Sequence, residues 1–269
     1  MNIANSEFIS EIKETASNMY RLGWNERNGG NISVLLKDEE VEPYLPELHE
    51  IRKLELPMPF KELAGKYFVI SGTGRYFKNI AKDPETNLGL MRISEDGTFA
   101  SLLWGYKKGG TFTSEAAMHL SAHLERLKAG DDQRAVIHAH PGNIVSMTHI
   151  HDLDEKEFTL TLWGMITECI VIFPEGVAVL PWMISSSNDI GTKSSQKFKN
   201  FKILIWAMHG ITAVGSSLDE VFGLIETVEK AAEIYMKISD NPNRKGIDKA
   251  MLKEVAAAFG LKPRDGWLD

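Results

Sequence analysis

The sequence contains one cysteine, Cys169, among 269 residues. A lone thiol excludes an intrachain disulfide framework and any cysteine-based zinc finger. The chain also lacks a run of about 18 apolar residues, which a membrane helix would need. Its first residues, MNIANSEFISEIKE, lack the basic and apolar regions of a secretory signal. We therefore expect a soluble cytoplasmic protein with no membrane partner.

An excess of positive charge is also missing. The 37 acidic residues outnumber the 30 Lys and Arg residues, and the formal net charge is −7. This balance excludes the electrostatic pattern of a general nucleic-acid binder. The glycines at Gly72 and Gly74 are not followed by the third glycine of a dinucleotide fingerprint, and no Walker lysine pattern occurs. Any phosphate must then be bound by local backbone and hydroxyl donors.

Internal repeats, low-complexity tracts and an obvious linker are absent as well. Short apolar runs with tight turns alternate with amphipathic segments, which indicates a single α/β domain over 1–269 with a mixed sheet rich in antiparallel pairs. The alternative is two domains that divide near residue 130. The expected helices are 7–22, 113–130, 217–239 and 248–259. The expected strand regions are the β-rich run after the glycine turn within 28–36, then 67–74, 87–94, 98–104, 135–140, 169–183 and 203–215, with 38–66 as a loop-rich excursion. A turn at Asp96-Gly97 predicts that 87–94 and 98–104 form a hairpin.

Three histidines lie at the ends of apolar strands. His138 and His140 are two residues apart, so strand alternation places both imidazoles on one face. Two such nitrogens can supply two ligands of a metal site. His209 follows the apolar run ILIWAM and precedes Gly210, which allows close backbone approach. His209 is the candidate third ligand, although each of these residues could also be a hydrogen-bonded core histidine.

Two other histidine pairs compete for the metal. His119 and His123 are four apart on a predicted helix, a valid ligand spacing that also arises easily by chance. His149 and His151 repeat the two-residue spacing, but four acidic residues follow within 152–157. That segment is typical of a solvated helix end. We rank 138/140 first, 119/123 second and 149/151 last.

Two glutamates are candidate acid/base groups. Glu115 falls in the first turn of the helix predicted over 113–130, where a carboxylate also stabilises the helix dipole. Glu168 precedes an apolar run that predicts a strand, so we expect it at a strand end. Neither position indicates catalysis by itself.

Two small-residue turns adjoin strands and could bind an anion. They are Asn28-Gly29-Gly30-Asn31 and Ser71-Gly72-Thr73-Gly74. Turns of this kind expose successive backbone amides that form anion-binding concavities. Each is common as a plain turn, but two of them together with Ser114 make phosphate binding a hypothesis to test.

The chain resembles the class II sugar-phosphate aldolases, the group that acts on rhamnulose 1-phosphate and fuculose 1-phosphate. The matching motifs run along nearly the whole length: GWNERNGGN, FVISGTGRYFKN, the TSE before the helix, VIHAH, TECIVIFPEGV, LPWM, MHG and LDEVFGLIETVEKAAE. The run at 23–31 and the VIHAH…MHG pair are the most specific.

The resemblance implies a three-layer α/β/α domain that binds one Zn²⁺ per subunit through His138, His140 and His209. It implies Glu115 as catalytic acid/base and Glu168 as a second catalytic carboxylate, contributed across a subunit interface of a homotetramer. It further implies a sugar-phosphate substrate, whose phosphate lies against a set of turn residues and one hydroxyl. That set is Asn28, Gly30, Asn31, Thr73, Gly74 and Ser114. Family members often have serine where this chain has Thr73.

The chemistry agrees with these residues. Breaking a carbon–carbon bond beta to a ketone leaves an enediolate, and zinc as a Lewis acid lowers the cost of that charge by several kcal/mol. A carboxylate beside the metal can move the proton on carbon, which contributes about 10²–10⁴-fold. The other aldolase strategy needs a Schiff-base lysine in an apolar pocket. No lysine lies inside the apolar strands, so the metal route is favoured.

Other interpretations stay open at this stage. Within the superfamily, a fuculose-1-phosphate aldolase or a ribulose-5-phosphate 4-epimerase would use the same metal. A non-catalytic zinc-stabilised sugar-phosphate-binding protein would need the histidines but not Glu115. The residues do not indicate the stereochemistry at the aldehyde end of the substrate.

Overall fold

The computed structural model describes residues 2–107, 109–130 and 132–269. Within these residues one mixed sheet has nine strands, numbered in chain order: β1 (Asn31–Leu36), β2 (Arg52–Glu55), β3 (Tyr67–Ser71), β4 (Leu88–Ile93), β5 (Phe99–Gly105), β6 (Ala135–Ala139), β7 (Ala178–Leu180), β8 (Ile203–Trp206) and β9 (Gly210–Gly215). The spatial order is β2-β5-β4-β3-β1-β6-β9-β8-β7. Every neighbouring pair is antiparallel except β7–β8.

Helices cover both faces of this sheet. In chain order they are α1 (Glu7–Arg21), α2 (Asp38–Val41), α3 (Phe77–Ile80), α4 (Pro84–Asn87), α5 (Ala116–Lys128), α6 (Gly142–Ile150), α7 (Glu155–Met165), α8 (Glu168–Ile172), α9 (Asn188–Phe198), α10 (Leu218–Ile238) and α11 (Lys249–Phe259). Short 3-10 turns occupy Ile3–Asn5, Glu42–Glu47 and Lys61–Leu63. Among the described helices, none has both the length and the apolar character required to cross a membrane.

Strand alternation divides the core into two sides. In β6, Ile137 and Ala139 join the large cluster formed with α1 and α10, whereas Val136 faces the cluster that includes α5 and α9. β8 repeats the pattern, because Ile205 lies on the first side and Leu204 on the second. This period of two is what a sheet covered on both faces requires. The predicted fold class, α/β with helices on both faces of a mixed, largely antiparallel sheet, is confirmed.

The sheet continues across residue 130. Strand β1 pairs with β6 over four residue pairs, from Asn31 opposite His138 to Val34 opposite Ala135. The two-domain alternative would divide the chain between these strands. The single domain over 1–269 therefore stays a prediction that this continuous pairing supports.

Several local predictions are confirmed. Helix α1 begins after Ser6, whose hydroxyl accepts a hydrogen bond from the Ile9 amide, and it buries Ile12 and Met19. Strands β4 and β5 form the predicted hairpin, with Gly97 in its turn. Helix α5 is shorter than predicted, because its first helical residue is Ala116.

Two local predictions are wrong. The apolar run after Glu168 forms the short helix α8 instead of a strand, and only the later part of the region, Ala178–Leu180, pairs in the sheet. Five apolar residues fit a strand or a buried helical turn equally well, and here Cys169 and Ile170 are buried against helices. The region 38–66 also contains the edge strand β2, whose sequence RKLE has only one buried residue, Leu54.

Candidate metal centre and active site

His138 and His140 meet at the carboxyl end of β6. The His138 ring is buried, and its Nδ1 lies 3.0 Å from the Ile211 carbonyl oxygen. The His140 ring is half-buried, and its Nδ1 lies 2.9 Å from a carboxylate oxygen of Glu26. Each Nδ1 therefore faces an oxygen acceptor, and each Nε2 is directed toward the other ring. The one-face geometry predicted from the sequence is therefore observed.

The two Nε2 atoms face each other at 3.1 Å. Burial lowers the pKa of His138 well below its usual value, so that ring is neutral near pH 7. When both rings are neutral with their protons on Nδ1, the two Nε2 atoms are close enough to bind one cation together. The donor set thus fits a shared cation, and imidazole nitrogens are ligands that zinc prefers.

His209 completes the cluster from another part of the chain. It lies in the tight turn between β8 and β9, and its ring stacks on Trp206 with centroids 5.0 Å apart. One ligand nitrogen from each of His138, His140 and His209 lies within 4.8 Å of the others. Burial lowers the pKa of His209 to about 4, which leaves this ring neutral as well. Within the described residues this is the one cluster of metal-binding side chains found.

Glycines allow the segments to approach one another. A Cβ on Gly210 would lie 2.3 Å from the Ala139 carbonyl oxygen, so a side chain there would push the His209 turn away from β6. A Cβ on Gly29 would lie 2.9 Å from both the Glu26 carboxylate and His140 Nδ1. Contacts this short do not occur without displacement of the neighbour. Both positions therefore require glycine if the three rings are to converge.

Glu115 faces the open side of the histidines. One carboxylate oxygen lies 3.7 Å from His138 Nε2 and the other lies 3.9 Å from His209 Nε2. The residue precedes the first turn of α5 rather than lying within it, and its side chain makes no capping hydrogen bond. Burial raises the pKa of Glu115, and a 2.8 Å hydrogen bond from the Asn31 amide opposes that rise. The helix-capping explanation is therefore not supported by the contacts.

The two glycine turns lie at the same end of the central strands as His138 and His140. Strand β1 starts at Asn31 and its antiparallel neighbour β3 ends at Ser71, whose hydroxyl accepts a hydrogen bond from the Ile32 amide. Thr73 and Gly74 are exposed just after the end of β3. The Thr73 amide donates a hydrogen bond to the Thr111 carbonyl oxygen. The hydroxyl of Thr73 is then the group left to meet a ligand.

The remaining predicted phosphate residues have distinct environments. Asn28 is exposed, and Gly30 adopts a positive φ of 73° beside the end of β6. The Ser114 hydroxyl accepts a 2.9 Å hydrogen bond from Ser186. The Asn31 side chain is buried and already bonded to Glu115 and His119. Phosphate binding by these residues stays a prediction.

Glu168 does not join this cluster within the chain. It is exposed at the start of α8, in a groove that also contains Trp24 and Glu229. The structure describes one chain, so a role at a neighbouring subunit's site stays a prediction.

The other histidine pairs have different partners. His119 and His123 both bond to the Ser33 hydroxyl, at 2.7 and 2.8 Å. His149 is exposed on α6, while His151 bonds to the Thr161 hydroxyl at 2.8 Å and is therefore less solvated than its acidic surroundings suggested. The ranking that placed 138/140 first agrees with the geometry.

Sequence reasoning missed Glu26. Glu26 lies inside the motif GWNERNGGN, but no spacing rule connects it to His140, which is 114 positions away. A metal-binding histidine has one ring N–H that does not face the metal, and a carboxylate that accepts a hydrogen bond from it fixes the tautomer and the ring orientation. The only sequence signal was a carboxylate in a glycine-rich loop.

Comparisons with known proteins agree with this geometry. The family described as class II aldolase and adducin N-terminal domain matches residues 10–236. A rhamnulose-1-phosphate aldolase of Listeria monocytogenes is 46% identical over 269 residues, which cover 100% of this chain and 98% of the relative. The protein of the same name from Enterococcus faecalis is 44% identical over 270 residues, with 100% and 97% covered.

The fold has a solved counterpart as well. The crystal structure of a sugar-phosphate aldolase from Thermotoga maritima matches with a TM-score of 0.77 and 25% sequence identity. The match covers 88% of this chain and 97% of the Thermotoga maritima chain. The chain belongs to the class II aldolase family, and it is an aldolase of the lyase class. Within that family, both curated relatives named above are rhamnulose-1-phosphate aldolases.

Replacement of a histidine in the cluster should remove the metal. We expect wild-type protein to contain about one zinc per chain and His209→Ala to contain almost none, because two histidines alone do not complete the ligand set of a catalytic zinc site. His149→Ala is the matched control, since that histidine is exposed and is not part of the cluster. Elemental analysis of the purified proteins measures this. A zinc-replete His209→Ala protein would remove His209 from the site.

Replacement of Glu26 should weaken metal binding and leave the fold intact. We expect Glu26→Ala to lower zinc affinity by about 10–100-fold, and Glu26→Gln, which keeps an acceptor oxygen, to lower it less. The Glu26 side chain is 66% exposed, so its contact with His140 contributes little to folding. Competition with a chromogenic chelator measures the affinity, and Glu14→Ala serves as an exposed-glutamate control. Equal affinity in Glu26→Ala and wild type would contradict the orienting role.

Proposed function

We propose that this chain is a zinc-dependent aldolase that cleaves L-rhamnulose 1-phosphate to dihydroxyacetone phosphate and L-lactaldehyde. The observation that carries the mechanism is the placement of Glu115, whose carboxylate oxygens lie 3.7 and 3.9 Å from two of the three converging histidines. The choice of substrate rests on the name that full-length relatives at 44–46% identity carry. Zinc is favoured because all three candidate ligands are imidazole nitrogens.

Cleavage moves one proton from oxygen to carbon. The hydroxyl on C4 loses its proton, the C3–C4 bond breaks to give the aldehyde, and C3 then gains a proton to give dihydroxyacetone phosphate. Bound zinc would act as a Lewis acid that stabilises the negative charge developing on the ketose fragment.

Glu115 is the group proposed to hold the proton for C3. Burial raises its pKa, so that it retains a proton more readily than an exposed glutamate and transfers it at a rate suited to neutral pH. Its hydrogen bond from Asn31 fixes one oxygen, and the other oxygen points toward His209. The carboxylate therefore has a defined orientation before the substrate arrives.

The two glycine turns are the proposed phosphate site. The two turns are neighbours, because β1 and β3 are paired and the Ser33–Ile70 end of that pairing is the end from which both turns extend. In our proposal Asn28, Gly30 and Asn31 contribute from the first turn, Thr73 and Gly74 from the second, and Ser114 from the start of α5. A phosphate held there would place the ketose carbons between the turns and the histidines. The protein acts in our proposal as a cytoplasmic homotetramer without nucleic-acid or membrane partners.

A coupled assay tests the reaction. We expect release of dihydroxyacetone phosphate from L-rhamnulose 1-phosphate, faster than from fuculose or tagatose phosphate, with loss on chelation and recovery on addition of Zn²⁺. Glu115→Ala should keep the fold and zinc but lose most turnover, about 10²–10⁴-fold, because it removes the proton-transfer group. Faster release from fuculose 1-phosphate, or epimerisation of ribulose 5-phosphate, would assign another member of the superfamily. Wild-type turnover in Glu115→Ala would contradict the assigned role.

A mixing experiment tests whether Glu168 acts in a neighbouring subunit's site. The Glu115→Ala and Glu168→Ala proteins should each be nearly inactive alone. In co-expressed mixed oligomers, a site that takes each residue from a different chain is intact in about a quarter of cases, one half times one half, so activity should partly return. If both residues served the same chain's site, every site would carry one lesion. Confirmed mixed oligomers with no recovered activity would contradict the shared site.

A further inference from the structure

A buried line of polar side chains extends from Glu115 into the core. It consists of Asn31 and Ser33 on β1 and of His119 and His123 on α5, all at most 6% exposed. Alternation along β1 puts Asn31 and Ser33 on the face that α5 covers, while the four-residue spacing on α5 puts both rings on the side that meets β1. The proposed reaction uses neither histidine.

The hydrogen bonds of this line have one consistent direction. Asn31 donates its amide nitrogen to Glu115 at 2.8 Å, so its oxygen is left to accept from His119 Nε2. His119 Nδ1 then carries no proton and accepts from the Ser33 hydroxyl at 2.7 Å. Ser33 in turn accepts from His123 Nε2 at 2.8 Å.

Both rings are neutral, which this direction requires. Burial lowers the pKa of His119 and of His123 to about 3. Each ring therefore has a single proton. The Asn31 oxygen can only accept, so the proton of His119 lies on Nε2, and the Ser33 hydroxyl donates to Nδ1.

Stability alone explains this line poorly. Burying a polar group without a partner costs about 1–3 kcal/mol, and the Nδ1 of His123 is buried with no hydrogen-bond partner in the part of the chain the structure describes. The neighbouring position on this face of β1, Leu35, is apolar and packs into a hydrophobic cluster. Apolar side chains could fill the same space at lower cost, so the polar line indicates another role.

We propose that His119 is a positioning residue that orients Glu115 through the Asn31 amide. This inference rests on the proposed role of Glu115 as the proton-transfer group. The two ends of an asparagine amide are similar in size, and a half-turn would place its oxygen against the Glu115 carboxylate, where two acceptors repel. The N–H of His119 binds the amide oxygen and excludes the turned orientation. Ser33 acts one step further away, because its hydroxyl donates to the unprotonated Nδ1 of His119.

Paired substitutions at His119 test the proposal. A glutamine amide reaches the position of Nε2 and keeps a donor toward Asn31, whereas an asparagine amide reaches only the position of Nδ1. We expect His119→Asn to lower kcat by about 10²-fold, with zinc content unchanged and KM changed much less than kcat, because Glu115 is misplaced while the metal ligands are intact. His119→Gln should recover most of kcat. Ser33→Ala, a smaller change, should lower kcat in the same selective way because it releases the tautomer.

His123→Asn is the matched control. His123 lies on the same helix, is equally buried and bonds to the same hydroxyl, but it is two hydrogen bonds further from Glu115 than His119 is. We expect it to lower the melting temperature about as much as His119→Asn does, with a kcat much closer to that of the wild type. Equal loss of kcat in these two variants, or His119→Gln no better than His119→Asn, would make the line structural and overturn the proposal.

Crystal structures separate this proposal from the proposed function. In His119→Asn we expect the Asn31 amide to turn and the Glu115 carboxylate to move away from His138. An unchanged carboxylate would overturn the positioning role whether or not the wild-type protein cleaves a ketose 1-phosphate. Absence of aldol cleavage by wild-type protein would instead remove the proposed function, and the structural comparison would still decide the role of His119.

Discussion

The antiparallel pairing of β1 with β6 is the constraint on which the site depends. Its register places Asn31 opposite His138, and alternation then turns Asn31, Ser33 and His138 toward the same covering helix. The first glycine turn immediately precedes β1, and His140 immediately follows β6. A shift by one residue would send all these side chains to the opposite face. The first glycine turn and the histidines at the end of β6 are thus positioned by four consecutive residue pairs.

Helix α5 covers the face of the sheet toward which this register directs the polar side chains. Glu115 immediately precedes it, and His119 and His123 follow at intervals of four residues, so one side of the helix is polar where it meets β1. Next to this line, Met118 and Ala122 pack against apolar residues of β6 and β8. The apolar contacts fix the height of the helix above the sheet. That height sets the distances between the Glu115 carboxylate and the histidines, so packing of ordinary core residues determines the geometry of the site.

Sequence patterns predicted features whose causes are local. The two-residue spacing in a buried strand identified His138 and His140, and three- and four-residue spacing of apolar residues identified α1. The run after Glu168 was misassigned because five apolar residues have no period long enough to separate a strand from a helical turn. The short, charged strand β2 was missed because an edge strand needs few apolar residues. Glu26 and His119 had no local signal, since their roles depend on which atom of a distant residue accepts a proton.

The central place of β1 also has a consequence for synthesis of the chain. Its neighbour β3 follows within about thirty residues, but its other neighbour, β6, begins about a hundred residues later. While the ribosome makes the intervening segment, β1 has one edge without a partner, and such edges pair readily with other chains. Long-range pairing of this kind is also slow. A nascent chain in which β6 has not yet been made therefore presents one edge of β1 that only later synthesis can cover.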